Sequence, residues 1–484
     1  MPYGLGIDIG TTNTKVALVG GGRVRAVASA PTPGPGELKG MLAGLIGQVL
    51  EGRAAPDAVG IASMAETGVP IDASGEPLGP WLRWHEQEAG AAADALARRL
   101  GREQLIAATG VRPSAKVPLA KLAWLREHRP SLWAALKSWS GAADLACLLI
   151  TGRLATDHTL AGRSMAYRLP AVGESPAGAF DADLLAEVGL RPSQLPAVVA
   201  PGEAAGVVRD PAFVACGLRA GTPVVVAGHD HQVGAYACGV RAPGDVADSV
   251  GTAEAVMTVV GGHPSAVEAG RAGMSVVLTV EGGHRALLAG SASAGAAIAW
   301  WRENEGDGAF AGVAALGDEP TGVIVLPYLA GRQTPSPDPA ARPRVAGRRP
   351  EHHPALLAKA LLEGLSLHAR WMLTEQLRLA GEPEPRFSGD REPHPAGEPE
   401  PTVYLFGGPL AANPDWVRVK ARTFAGGLRL VREPETVAAG AALLALARAG
   451  RTAAPRLDSE AVAGGGSSYD LMFERFVAEA EGRA

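Results

Sequence analysis

Two stretches of this chain share one plan, and that plan narrows the folds open to it. The first is Asp8-Ile9-Gly10-Thr11-Thr12-Asn13-Thr14-Lys15. It follows the small and apolar residues 3–9 and leads directly into Val16-Ala17-Leu18-Val19. The second is Asp245-Val246-Ala247-Asp248-Ser249-Val250-Gly251-Thr252-Ala253-Glu254, which leads into the apolar run Ala255 to Val260. In both, an apolar run ends in a Gly-Thr bend and a second apolar run returns at once. This pattern predicts a β-hairpin in each half, and its repetition predicts two similar domains.

The first bend is not a P-loop. A P-loop needs a helix after its glycine-rich turn and a Gly-Lys-Ser/Thr signature, and the sequence has neither. The bend offers backbone N–H groups and the hydroxyls of Thr11, Thr12 and Thr14, a set suited to phosphate oxygens. Asp8, at the strand end, is placed to hold Mg²⁺ directly or through water. The plainer alternative is a polar hairpin with Asp8 as a turn residue. A third strand over Val24 to Ser29 completes a meander.

A second carboxylate stands in Gly228-His229-Asp230-His231-Gln232, after Thr222-Pro223-Val224-Val225-Val226-Ala227. A β-branched run ending in glycine, with a helix expected over Gln232 to Cys238, delivers Asp230 to the mouth of a sheet, where α/β folds keep their chemistry. Asp230 as an N-cap is the structural alternative. His229-Asp230-His231 invites a transition-metal reading, but successive side chains along a strand point to opposite faces, which would turn Asp230 away from the two histidines and argues against it. Glu66 follows the expected strand Ala58–Ala62 and is placed to accept hydrogen bonds from hydroxyls. A solvated loop charge is its bland reading. Trp84 reads as ligand wall or core.

Further helices are expected over Leu38–Val49, up to Leu100, Pro118–Leu125, Asp144–Ile150, Gly295–Arg302, Leu356–Leu379 and Thr436–Arg448, with a last amphipathic helix after a glycine hinge at 464–466. Strands are expected at Ala286–Leu288, Val323–Leu329 and Val403–Phe406. The Pro-, Glu- and Gly-rich residues 381–401 read as a surface insertion. Gly407-Gly408 after a strand permits close approach of a ring or a phosphate.

Composition excludes several classes. A length of 484 residues fits two large domains. The balance of 45 basic to 50 acidic residues gives no field for nucleic acid or an anionic membrane. Three cysteines without CxxC or zinc spacing fit a reducing cytosol. No signal-peptide core precedes Leu5-Gly6-Ile7-Asp8 and no apolar run is long enough to span a bilayer, so a cytoplasmic location is expected.

Taken together, the motifs resemble those of the FGGY carbohydrate kinases of the actin-like ATPase superfamily. Gly6-Ile7-Asp8-Ile9-Gly10-Thr11-Thr12-Asn13-Thr14-Lys15 is similar to the family's first phosphate motif, and Ser249-x-Gly251-Thr252 to its second. Pro118-x-x-Lys121-Leu122-x-Trp124-Leu125, Thr151-Gly152, Thr156-Asp157, Gly221-Thr222-Pro223-Val224 to Asp230, Leu326-Pro327-Tyr328-Leu329-Ala330-Gly331 with Thr334-Pro335, Leu362-Glu363-Gly364, Gly407-Gly408 and Gly440-Ala441-Ala442 resemble further family segments. The resemblance implies an α/β fold of two ribonuclease-H-like domains with an interdomain cleft. Residues 1–240 would carry sugar binding, the first hairpin and the catalytic Asp, and residues 241–484 nucleotide binding.

The resemblance also implies ATP and Mg²⁺ as cofactors, with Asp8 and Asp230 as Mg²⁺ ligands and Asp230 as general base. Gly10, Thr11, Thr12, Asn13 and Lys15, with Gly251, Thr252, Gly295, Gly407, Gly408 and Asn413, would join Asp8 around the nucleotide. Glu66, Thr67, Trp84, His85, His229 and His231 would join Asp230 around a ketose or polyol. A homodimer is a common assembly of such kinases, and no nucleic-acid or membrane partner is implied. The chain departs from the family at the sugar end: His229 and His231 flank the Asp, Ala65 stands where an Arg-Glu pair has its Arg, and Trp84-His85-Glu86 replaces Trp-Asn-Asp. The rival readings are an actin-like ATPase without a sugar acceptor and a non-catalytic ATP- or sugar-binding regulator.

Overall fold

The computed structural model describes residues 1–483 except 172, 382–401, 425–426, 452–455 and 465–466. All but Gly381 of the expected insertion at 381–401, and most of the glycine hinge at 464–466, therefore lie outside the described residues. The chain forms two compact α/β units. The first comprises Met1–Gly239, Ser275–Arg285 and Glu435–Leu457; the second comprises Val240–Met274, Ala286–Pro434 and Asp458–Ala484.

The sheet of the first unit is built from β1 (Tyr3–Ile9), β2 (Asn13–Gly20), β3 (Arg23–Pro31), β4 (Ala58–Ser63), β5 (Gly206–Val207) and β6 (Pro223–His229), in the order β3-β2-β1-β4-β6-β5. The first three strands form an antiparallel meander, β1, β4 and β6 run parallel, and β5 closes the edge antiparallel. In the second unit, β7 (Val246–Val250), β8 (Glu254–Val260), β9 (Arg285–Ser291), β10 (Thr402–Phe406), β11 (Gly427–Leu430) and β12 (Glu460–Val462) run in the order β9-β8-β7-β10-β11-β12. Here too β7 is antiparallel to β8, parallel to β10 in a parallel run with β11, and β12 is antiparallel at the edge. The repeat seen in two bends thus extends through each sheet.

The helices that matter below are α1 (Pro118–His128), α2 (Ala142–Thr151), α3 (Asp230–Cys238), α4 (Gly295–Glu305), α5 (Pro354–Ala380), α6 (Pro414–Thr423) and α7 (Thr436–Arg448). A single cut at residue 240 separates α7 from the sheet it covers. Its carbonyls lie almost on the backbone of β1 and β4: a Cβ at Gly6 would sit 1.7 Å from Ala438 O, and one at Gly60 would sit 1.9 Å from Ala441 O. Bare glycines on the strands and alanines on the helix allow this approach, and so α7 belongs to the first unit although it is distant in sequence.

Central parallel strands are buried on both faces, which is why β6 reads as a continuous apolar run. The expected strand over Val323–Leu329 is confined to Ile324–Leu326, because Pro327 has no N–H for a ladder. Among the described residues, no helix is long and apolar enough to cross a membrane.

Candidate active site

Parallel pairing puts Asp8 and Asp230 at the same end of one sheet. In register, Asp8 of β1 lies beside Ala62 of β4, and Gly228 of β6 lies beside the same Ala62 from the other side. The two backbones are therefore two strands apart, about 10 Å. A register shift between Val226 and Gly228 bends the end of β6. Gly228 has φ +128°, and a Cβ there would meet Thr159 Oγ1 at 2.4 Å, so only glycine suits the position.

The end of β6 is pinned from the side. His229 N donates to Thr159 Oγ1 at 2.9 Å, and Thr159 Oγ1 donates to Asp157 Oδ1 at 2.8 Å. The Thr156-Asp157 segment thus fixes the backbone next to Asp230. Asp230 opens α3 at its first turn, with His229 in the capping position. Its Oδ1 accepts the His231 N–H at 2.7 Å.

Asp8 is electrostatically burdened. Burial pushes its carboxyl up to about 8, and the charge of Asp230 adds to that against the opposing Lys15. Asp8 Oδ1 is shut off from solvent and has no hydrogen-bond partner. Lys15 itself pairs with Glu435, Nζ to Oε2, at 2.6 Å. A buried acid with an orphaned oxygen, beside a second carboxylate whose charge opposes its ionisation, fits an oxygen-seeking divalent cation such as Mg²⁺. In the adjoining bend, Gly10 N donates to Asn13 O at 3.1 Å and Thr32 Oγ1 donates to Gly10 O at 2.7 Å. Thr12 and Asn13 remain exposed.

Glu66 sits in the loop after β4 with φ +66°, a left-handed conformation that non-glycine residues seldom adopt. Its Oε1 accepts Arg163 Nη2 at 2.6 Å and Nε at 3.1 Å. Burial raises the Glu66 carboxyl, but Arg163, Lys116 and His229 outweigh it and hold the carboxyl at about 2. Glu66 is thus ion-paired with Arg163, not with its neighbour at position 65. Lys121 of α1 donates to Glu66 O at 2.7 Å and to Leu82 O at 3.0 Å, which fixes the loop from below. Arg163 gave no sequence signal; Lys121 stood in a motif whose purpose the sequence did not reveal.

Trp84 joins this loop to the hairpin. Its Nε1 donates to Thr11 Oγ1 at 2.8 Å, and its backbone N donates to Thr67 Oγ1 at 3.1 Å. Thr67 is buried, and its hydroxyl has a structural task. His85 is exposed and meets the Trp84 ring edge-on. His229 is buried, and burial pushes its ring down to about 4. The expectation that strand alternation separates Asp230 from its flanking histidines is overturned: the strand ends at His229 and a helix begins, so the ligand atoms of His229, Asp230 and His231 all lie within 4.8 Å of one another.

In the second unit, the N-terminus of α4 docks on the Gly251-Thr252 bend. Gly295 N donates to Gly251 O and Ala296 N to Thr252 O, each at 3.0 Å. Gly407 has φ +122°, and a Cβ there would lie 1.9 Å from Val250 O. These contacts gather Gly251, Thr252, Gly295 and Gly407 at the end of β7 and β10, with Gly408 following. Asn413 caps α6, its Oδ1 accepting Trp416 N at 3.1 Å.

Two sheets of one topology, each with a Gly-Thr bend at the end of its central strand, define a duplicated α/β fold. The model of the N-terminal domain of the FGGY family of carbohydrate kinases matches residues 43–237, and that of the C-terminal domain matches 246–449. The chain belongs to the FGGY family of carbohydrate kinases. It is 31% identical over 281 residues to a xylulose kinase of Streptomyces coelicolor, covering 51% of this chain and 57% of that one. It is 29% identical over 199 residues to an L-fuculokinase of Escherichia coli, covering 41% of each. The match thus spans about half the length of these curated relatives. The fold is that of a gluconate kinase from Lactobacillus acidophilus, with a TM-score of 0.84, 19% identity and coverage of 99% of this chain and 98% of that one.

Proposed function

We propose that this protein is an ATP-dependent carbohydrate kinase that transfers the γ-phosphoryl group of ATP to a hydroxyl of a ketose or polyol. The observation that carries this reading is the pair Asp8 and Asp230 at one end of one sheet, close enough for the charge of Asp230 to raise Asp8. Phosphoryl transfer needs positioning and charge neutralisation more than covalent help. Asp230 is half-buried and accepts the proton of the attacking hydroxyl while orienting it. Asp8 and Asp230 would hold Mg²⁺, which supplies charge neutralisation at the phosphates when bound.

Each unit offers a bend for phosphate oxygens, at Gly10–Asn13 and at Gly251-Thr252. Glu66, kept ionised by Arg163, accepts from acceptor hydroxyls. Trp84 couples that loop to the phosphate hairpin through Thr11, and His85, His229 and His231 line the acceptor end. Asn413, whose Oδ1 caps α6, keeps its Nδ2 as a donor for the nucleotide. A cytoplasmic setting, where ATP is supplied, suits this activity.

The test is mass detection of product after incubation with ATP, Mg²⁺ and D-xylulose, L-fuculose or glycerol. The expected result is a phosphorylated acceptor from at least one of a panel of neutral ketoses and polyols. ATP hydrolysis at a rate indifferent to every acceptor would instead favour an actin-like ATPase.

A further inference from the structure

The end of β6 brings together three metal-binding groups on consecutive residues. His229 Nε2 lies 3.2 Å from Asp230 Oδ1, and His231 Nε2 lies 3.8 Å from the same oxygen. The bonds of about 2.0–2.1 Å that nitrogen and oxygen make to Zn²⁺ give tetrahedral edges of about 3.3 Å. Small side-chain rotations therefore suffice to bring all three groups onto one ion. Asp230 and His231 are partly open to solvent, so an ion has access.

The hydrogen-bond roles point to a cation. Gln232 Nε2 donates to Leu278 O, which turns the amide oxygen Oε1 toward His229 Nδ1, 3.0 Å away. An acceptor there places the ring proton on Nδ1. His229 Nε2 is then a bare lone pair facing a carboxylate oxygen at 3.2 Å. Two acceptors in contact repel each other, and a cation between them turns the contact into ligation. The Gln232 bond is also the outer-shell contact that ordinarily fixes the tautomer of a metal-binding histidine.

We propose that His229 Nε2, Asp230 Oδ1 and His231 Nε2 form a binding site for a borderline-soft divalent cation of the Zn²⁺ class. Two imidazoles and one carboxylate select against Mg²⁺, which prefers an all-oxygen shell. The consequence for activity rests on the kinase reading: an ion here occupies the general base, so Zn²⁺ inhibits phosphoryl transfer and the acceptor sugar competes with it.

The experiment uses full-length protein stripped of metal by a chelator and titrated with Co²⁺, without nucleotide or acceptor. One equivalent of Co²⁺ is expected to develop the visible d–d absorption of a nitrogen- and oxygen-ligated ion. Zn²⁺ displaces it and a large excess of Mg²⁺ does not. Gln232→Leu weakens Co²⁺ binding by about 10–100-fold, as loss of an outer-shell partner does, and His231→Ala weakens it at least as much. His231→Gln serves where circular dichroism shows the Ala variant to be unfolded. A colourless titration, displacement by Mg²⁺, or unchanged affinity in the His231 and Gln232 variants overturns the site. A protein that binds Co²⁺ but phosphorylates no acceptor overturns the kinase reading and leaves the site standing. An active kinase with no Co²⁺ spectrum overturns the site alone.

Discussion

Thr159→Val tests whether the Asp157–Thr159 pin sets the position of Asp230. Valine keeps the branched shape of threonine and removes one oxygen. That oxygen accepts the buried His229 N–H at 2.9 Å and donates to Asp157 Oδ1 at 2.8 Å. Without it, a buried N–H loses its acceptor, which costs about 1–3 kcal/mol. Asp157 Oδ1 loses one of its two donors and keeps the Leu160 N–H at 3.0 Å, and a hydrogen bond to a charged group is worth about 1.5–3 kcal/mol. The two losses share an atom and do not add fully, so the expected destabilisation is about 2–4 kcal/mol. Urea unfolding reads it in the transition of the first unit, since two compact units need not unfold together. A shift of Asp230 by about 1 Å costs about 100-fold in turnover, so kcat falls by one to two orders of magnitude while the KM for ATP stays within about twofold. Thr159→Ser keeps the oxygen and restores both. A Thr159→Val protein with stability and kcat near those of the parent would refute the pin.

Two further outcomes follow from buried charges. Burial pushes Asp144 of α2 up to about 7, whereas the unfolded chain releases that proton near pH 4. The Asp144 contribution to stability is therefore fully present below about pH 4 and is lost as pH rises to about 7, by about 4 kcal/mol; Asp144→Asn removes that part of the pH slope in unfolding curves across this range. In the second unit, Lys420 Nζ of α6 lies 2.5 Å from both Asp248 Oδ2 and Glu254 Oε1, all fully buried. Lys420→Met strands two acids and costs about 3–5 kcal/mol, while the triple change Lys420→Met, Asp248→Asn, Glu254→Gln recovers most of it; the same unfolding assay compares the two.

The hairpins and the strand leading to Asp230 were legible because their signals are local. Alternation, β-branching and a Gly-Thr bend specify a strand pair without reference to the rest of the chain. The unit to which α7 belongs was not legible, since it depends on Gly6 and Gly60 meeting Ala438 and Ala441 across the fold. The partner of Glu66 was hidden for the same reason: Arg163 lies 97 residues away, and no spacing rule connects them. The gathering of Asp230 with His229 and His231 was not legible because the helix begins at Asp230 rather than Gln232. A helical turn in place of strand alternation keeps successive side chains from pointing to opposite faces. The structural hydrogen bonds of Thr67 and Asn413 were not legible either, because hydroxyls and amides in loops serve capping and binding alike.

The central claim is that Asp230 is the base of a sugar kinase, and acceptor-dependent ADP release by Asp230→Asn tests it most directly. The account predicts that kcat collapses by at least about 100-fold, in the range of a lost general base, while ATP binding measured by fluorescence titration is kept. An Asp230→Asn protein that turns over near the parent rate would contradict it.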